Sequence, residues 1–325
     1  MLKERPFPFP SDKSIRVIID TDCYNECDDQ FCVAHALMTP KFDIKAIIAA
    51  QFGGVYGRKG TEQESYDEIV NIVHLMGLDG QVNILHGSDD QIVDREHYTV
   101  SEGAEFIVRE AMSDDPRPLF VATLGAVTNL ATAILMKPEI VDRMTVVAII
   151  GSPYPKGGFE FNQNNDMKAA EILYTAGAKL WQVPSNVYTT MKFSYYEMLN
   201  RVYPCGEVGK YMVKHAMEFA AKMAEIMALP PENNPIAAMM ADGDPDMAPT
   251  LGGELWSLGD SPTVGIMMNP TVGRFHKEPA PCGLKGFGDY DFSQPGKGQI
   301  RVYDDIDARF ILNDMCEKLK YNFGE

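Results

Sequence analysis

The chain has 325 residues, with 46 acidic against 29 basic side chains and a net charge of −17. A hydrophobic share of 45% supplies a substantial core and excludes bulk disorder. So acidic a chain repels nucleic acid and anionic lipid, and no dense Lys/Arg run offers a segregated basic patch, which excludes polyanionic partners.

The length suits about two domains or one large α/β domain. Residues 1–14, MLKERPFPFPSDKS, read as an N-terminal extension before a domain over 15–325. No apolar stretch precedes the prolines and no run approaches a membrane span, so a soluble, cytoplasmic protein without a signal peptide is expected. Cysteines stand at 23, 27, 32, 205, 282 and 316. Cys23 and Cys27 could ligate zinc, but no second Cys/His pair follows at finger-like spacing. Small buried residues in a reducing cytosol are the better reading.

In chain order, residues 15–19 (IRVII) read as a buried strand and 32–38 as the helix behind it. A second strand is expected at 44–50, a helix at 64–76 and a third strand at 82–85. Then come a helix at 102–112, a strand at 118–123 and a helix at 129–136 with Thr128 as its N-cap. Residues 144–150 and 180–183 read as strands around a helix at 167–176. An amphipathic helix follows over 205–228, then loops and a turn over 230–262. A long loop is expected over 271–299, before a last strand at 299–303 and a helix at 306–319. This alternation predicts a single α/β domain with a mainly parallel, Rossmann-like sheet covered by helices on both faces.

Residues 20–29, DTDCYNECDD, place Asp20, Asp22, Glu26, Asp28 and Asp29 where the first strand ends. Ligands of open α/β sheets bind at the carboxyl ends of strands. An acidic surface turn is the plain alternative. Against it, these carboxylates lie between a buried strand and an apolar helix start, with no Lys or Arg between Arg16 and Lys41. Close, partly buried carboxylates repel unless a cation sits among them, and all-oxygen ligands favour Ca²⁺ or Mg²⁺ over zinc.

Two chemistries place Asp-x-Asp after a first strand. In haloacid-dehalogenase-type phosphoryl transfer the motif continues with a Gly-Thr or similar pair, whereas Cys23 and Tyr24 follow here. The nucleoside hydrolases carry DxDPGxDD; Asp20, Thr21 and Asp22 match its start and Asp28–Asp29 its end, around a loop two residues longer. Later segments agree in order. Residues 121–143, VATLGAVTNLATAILMKPEIVDR, resemble the family's Gly-x-Leu-Thr-Asn-like turn and helix. GGFEFNQNNDMKAAEIL resembles its Glu-Phe-Asn … Asp-Pro-Glu-Ala-Ala, after a loop over 152–159 about four residues shorter and lacking a counterpart for a sugar-binding Asn. LWSLGDSPTVGIMMNP is similar to its His-Asp-Pro segment, with Gly259 in place of the His. The chain thus resembles nucleoside hydrolases over 15 to about 183 and 255 to 320, as a divergent subgroup.

The resemblance implies a calcium site made of Asp22, Asp29, Asp260 and the Leu124 carbonyl. It also implies a ribose site made of Asp28, Glu160 and Asn162. A water on the metal would attack the anomeric carbon, with Asp22 taking its proton. The expected activity is calcium-dependent cleavage of a ribonucleoside's N-glycosidic bond, in a homodimer or homotetramer. Leaving-group protonation is the open point, because Gly259 replaces the family's His. His276 is a candidate by elimination, and His35 reads as a packed or surface residue. Trp256 reads equally as an aglycone platform or a core residue, and Tyr188, Tyr195 and Tyr196 are candidates to line the same pocket. A hydrolase of another small glycoside, or a sugar binder that lost its acid, are the alternative readings.

Overall fold

The computed structural model describes residues 2–227 and 253–324. The loops and turn expected over 230–262 lie outside the described residues up to 252. The short apolar runs fold as strands buried on both faces: in β1 (Ile15–Thr21), Ile15, Val17 and Ile19 enter one apolar core and Ile18 the other. Strand β2 (Phe42–Ala49) splits in the same way, with Ile47 and Ala49 on one side and Ala46 and Ile48 on the other. Successive side chains of a strand point to opposite faces, so strands with consecutive apolar residues such as Val17–Ile19 and Ala46–Ala49 fit a sheet covered on both sides.

Helix α1 (Asp29–Leu37) follows β1, and α2 (Thr61–Leu75) joins β2 to the short β3 (Ile84–Leu85). Next come α3 (Glu102–Ala111), β4 (Leu119–Thr123), α4 (Thr128–Met136) and β5 (Thr145–Ile149). The chain continues through α5 (Phe161–Asn165), α6 (Met167–Ala176), β6 (Lys179–Val183), α7 (Ser185–Tyr188) and β7 (Lys192–Ser194). Helix α8 (Gly206–Met227) precedes β8 (Leu255–Ser257), α9 (Pro262–Met268) and β9 (Gly273–Pro279). The hairpin β10 (Gly283–Lys285) and β11 (Asp289–Asp291), strand β12 (Gln299–Ile306) and helix α10 (Ala308–Phe323) complete the order.

Eight strands form one sheet in the order β3-β2-β1-β4-β5-β6-β12-β9, parallel except for the antiparallel β12–β9 pair. The strand order reverses between β1 and β4, where Asp20 is in register with Thr123. That reversal splays the connecting loops apart and leaves a crevice at the carboxyl ends of these two strands. The N-terminal segment lies along α10, with the Lys3 amide bonded to Asn322 at 3.0 Å and the Tyr321 hydroxyl to the Glu4 carbonyl at 3.0 Å. Among the described residues no helix is long and apolar enough to cross a membrane.

The fold corrects three expectations, one of them within 230–262, where Leu255–Ser257 form strand β8 and not a loop. The stretch 271–299 is not one long loop, since it contains β9 and the β10–β11 hairpin. Strand β9 is the sheet edge, and its Arg274, Lys277 and Glu278 are the charged residues an exposed edge carries, so it lacks the apolar run of a central strand. Thr128 is not an N-cap: it is the first helical residue of α4, and its hydroxyl donates to Asp166 at 2.9 Å.

Buried Asn129, in the first turn of α4, ties the carboxyl ends of the central strands together. Its amide donates to Asp20 at 2.9 Å and to the Ala49 carbonyl at 3.2 Å. Its carbonyl accepts the Ser88 amide at 2.9 Å and the Ser101 hydroxyl at 2.8 Å. Asn129→Ala strands several buried polar groups at once, so a loss on the order of 3 kcal/mol or more is expected in urea unfolding. A loss below about 1 kcal/mol would remove this residue as the tie.

Candidate active site

The crevice between the ends of β1 and β4 is a cleft of about 390 Å³. It is lined by Asp22, Asn25, Glu26, Asp28, Asp29, Leu124, Ile149, Glu160, Phe161, Asn162, Tyr188, Gly259 and Asp260. Six of these carry carboxylates, and no Lys, Arg or His lies among them.

Each carboxylate is placed by a local reason. Asp22 directly follows the fully buried β1, and its oxygens press on Gly125 so closely that a Cβ there would lie 2.4 Å from Oδ1. Asn25 folds back on it, donating from its amide side chain at 3.0 Å and from its backbone to the Asp22 carbonyl at 2.8 Å. The loop is pinned from beneath by buried Cys23 and Cys27, which act as small apolar residues; the cysteines are free thiols. Asp28 and Asp29 open α1, where the helix N-terminus favours negative charge. The Thr21 hydroxyl donates to Asp29. Asp260 arrives on the turn before α9, with its carbonyl accepting the Thr263 hydroxyl at 2.7 Å and the Cys32 thiol at 3.3 Å.

Carboxylate oxygens of Asp28, Asp29 and Asp260, all buried, lie within 4.8 Å of one another. Two like charges at that distance repel by roughly 3 kcal/mol at an effective dielectric constant of about 20. Burial, reinforced by Glu26 and Asp28, pushes the Asp22 carboxyl up to about 8. Burial and Asp29 push Asp28 up to about 7, although hydrogen bonds from the backbone of Asp28, Asp260 and Gly259 oppose the rise. Asp29 and Asp260 are driven well above the ordinary carboxylate range, first by burial and then by their acidic neighbours. Glu26 is raised to about 8 by burial, Asp28 and Glu160. Such a group either holds protons or holds a cation. The donor set, carboxylates with a carbonyl and no thiolate or imidazole, fits a hard divalent ion.

Glu160, which also lines the cleft, caps α5, its carboxylate accepting the amides of Asn162 at 3.1 Å and Gln163 at 2.9 Å. Burial raises its pKa while these donors hold it down. The Asn162 side-chain amide donates to the carbonyls of Leu124 and, at 2.9 Å, Ile149, joining the ends of β4 and β5. The Leu124 carbonyl therefore carries a protein donor on one lone pair and keeps the other.

Of the residues singled out in the sequence, Asp22, Asp28, Asp29, Leu124, Glu160, Asn162 and Asp260 all line this cleft. The tight carboxylate trio contains Asp28, a residue expected on the ribose, while Asp22 stands beside it. Trp256 does not line the cleft; it packs edge-on against Phe219 at 5.1 Å between ring centroids. His276 is on the edge strand β9, paired with Asp304 at 2.7 Å and Glu278 at 3.3 Å. His35 is fully buried against Asp314 at 2.7 Å. Neither reaches the site. Tyr188 lines the cleft, Tyr195 packs against the apolar core and Tyr196 is exposed. Asn25 was not singled out in the sequence, and Glu26 was named in the acidic cluster but given no role in the site. Both lie in the loop between β1 and α1, which His215 on α8 holds by donating to the Glu26 carbonyl at 3.0 Å.

The family model for inosine-uridine preferring nucleoside hydrolases matches residues 17–310. A probable uridine nucleosidase of Arabidopsis thaliana is 26% identical over 205 residues, 53% of this chain; the match spans 59% of the plant protein's own length. A non-specific ribonucleoside hydrolase of Salmonella newport is 22% identical over 222 residues, covering 61% of this chain and 70% of that one. The fold is similar to that of a purine-preferring ribonucleoside hydrolase from Gardnerella vaginalis, with a TM-score of 0.69, 18% identity and coverage of 94% of this chain and 98% of that chain. With the family model covering most of its length and its acidic residues gathered at the switch point, the chain belongs to the inosine-uridine preferring nucleoside hydrolase family.

Proposed function

We propose that this protein hydrolyses the N-glycosidic bond of a ribonucleoside or related ribosyl compound with the help of Ca²⁺. The observation that carries the reading is the buried Asp28–Asp29–Asp260 trio beside Asp22, with no basic side chain among the described residues that line the cleft. Asp29, Asp260, Asp22 and the Leu124 carbonyl would hold the ion, with Asp28 on a sugar hydroxyl at its side. Ca²⁺ accepts six to eight oxygens, so these residues leave positions for a vicinal diol and water. When bound, the ion orients the diol and acidifies water.

The protein's own side chains supply the rest. Asp22 accepts the water's proton, and a cation beside it reverses the raised pKa that would otherwise keep it protonated. Asn25 orients it through the 3.0 Å hydrogen bond. Asp28, Glu26 and Glu160 surround the sugar with negative charge, which favours an oxocarbenium-like transition state. With Gly259 beside the trio, no imidazole among the lining residues delivers a proton to the departing base.

Two outcomes are expected. Asp22→Asn removes the base and lowers kcat by about a thousand-fold, within the usual range for general-base loss, while the protein stays folded. Reducing sugar released from a nucleoside panel checks this, with a chelator arm that abolishes turnover and Ca²⁺ that restores it. No sugar from any nucleoside, with Ca²⁺ present, would sink the reading.

The second concerns pH. The Asp22 carboxyl stands at about 8 in the ion-free fold against an ordinary 3.8. Its neutral form therefore supports the fold fully below the ordinary value, and that support is lost as pH rises through about 8. Ion-free protein should melt lower at roughly pH 8.5 than at roughly pH 6, and added Ca²⁺ should raise Tm more at the higher pH because protons no longer compete. Calorimetry showing the same calcium increment at both pH values would count against this site.

A further inference from the structure

We propose that Tyr188 sets the sugar specificity of the cleft: its phenol gives Glu160 the hydroxyl that this carboxylate would otherwise take from a pentose. The site then takes a ribosyl compound whose exocyclic hydroxyl is missing or substituted. This deepens the ribohydrolase reading and rests on it.

A carboxylate offers about four acceptor positions. On Glu160 all are used within the protein. Oε1 accepts the Asn162 amide at 3.1 Å and the Tyr188 hydroxyl at 3.0 Å. Oε2 accepts the amides of Gly151 and Gln163, each at 2.9 Å. Two of these amides belong to the first turn of α5 and the third, of Gly151, to the backbone just after β5, so none leaves without moving main chain. The fourth donor is a side chain, Tyr188, and it stands on the face turned to the cleft.

The ring is held where it is. The Tyr188 amide bonds to the Pro184 carbonyl at 3.1 Å, and its own carbonyl accepts the Met191 amide at 3.1 Å and the Ser257 hydroxyl at 3.2 Å. Gly259 makes room for it: a Cβ there would lie 3.0 Å from Tyr188 Cδ2 and 3.3 Å from Asp28 Oδ2. Tyr188 and Gly259 thus form a matched pair, with the phenol filling space that a side chain at 259 would enter. Burial and the charge on Glu160 keep the phenol protonated, so it remains a donor.

The ribohydrolase reading puts a vicinal diol on the cation at Asp28, Asp29 and Asp260 and the anomeric carbon at Asp22. That leaves the exocyclic carbon for the part of the cleft lined by Glu160, where Tyr188 already supplies the hydrogen bond.

The test compares kcat/KM for inosine, uridine, adenosine and cytidine with their 5′-deoxy counterparts, in the calcium-loaded wild type and in Tyr188→Phe. The wild type is expected to use the 5′-deoxy compounds at least as well. Tyr188→Phe frees one acceptor on Glu160 and should shift the ratio towards the full ribosides on the order of tenfold, the worth of a hydrogen bond to a charged group. A structural role alone would lower both values together and leave the ratio still. A wild-type preference of tenfold or more for the full ribosides, or an unmoved ratio in the variant, overturns the proposal. Should the variant not fold, the wild-type ratio decides. If no nucleoside is cleaved, the ribohydrolase reading falls separately; calorimetric binding of methyl 5-deoxyribofuranoside in preference to methyl ribofuranoside still supports the role of Tyr188, and the reverse preference overturns it.

Discussion

The structure depends on holding six carboxylates in one cleft with no basic side chain among the described residues that line it. Burial raises the cost of every charge there, and mutual repulsion raises it again. Many proteins soften such a cluster with an arginine or lysine. Here the surroundings are backbone amides, an asparagine and small buried cysteines, so the compensation must come from outside the chain. A site built this way is a site for a cation, and its affinity follows the protonation of the same groups.

The parallel sheet is what makes the crowding possible. Asp22 and Leu124 stand at the ends of neighbouring strands β1 and β4, which run to opposite sides of the switch point. Asp260 and Glu160 reach the same place from α9 and α5, elements far away in the chain. Asn129 fixes the strand ends by bridging Asp20 and the Ala49 carbonyl. The polar frame is thus rigid before any ligand arrives, which is the condition for electrostatic stabilisation without reorganisation at the moment of reaction.

Asn25 and Glu26 of the loop after β1 line the cleft, and Gly259 with Tyr188 lines it beside the carboxylate trio. Residues that match the family's motifs and residues that depart from them thus share one cleft.

Much of this was legible along the chain. Runs such as 15–19 and 145–149 are mostly apolar and bury side chains in both cores, as a sheet covered on both faces requires, so the central strands could be read without coordinates. The order of acidic and glycine motifs likewise placed seven of the eight expected site residues on one cleft. The edge strand β9 was not legible, because half-exposed charged residues carry no apolar period. Trp256 was equally open to two roles, and only its packing on Phe219 decided between them. The sequence by itself determined the sheet and the cation-seeking chemistry, because both follow from patterns between near neighbours in the chain. The tertiary structure alone decided that Tyr188 completes the coordination of Glu160 and that Asp28 joins the trio. Hydrogen-bond saturation depends on which surfaces meet when elements cross, and no local pattern records it.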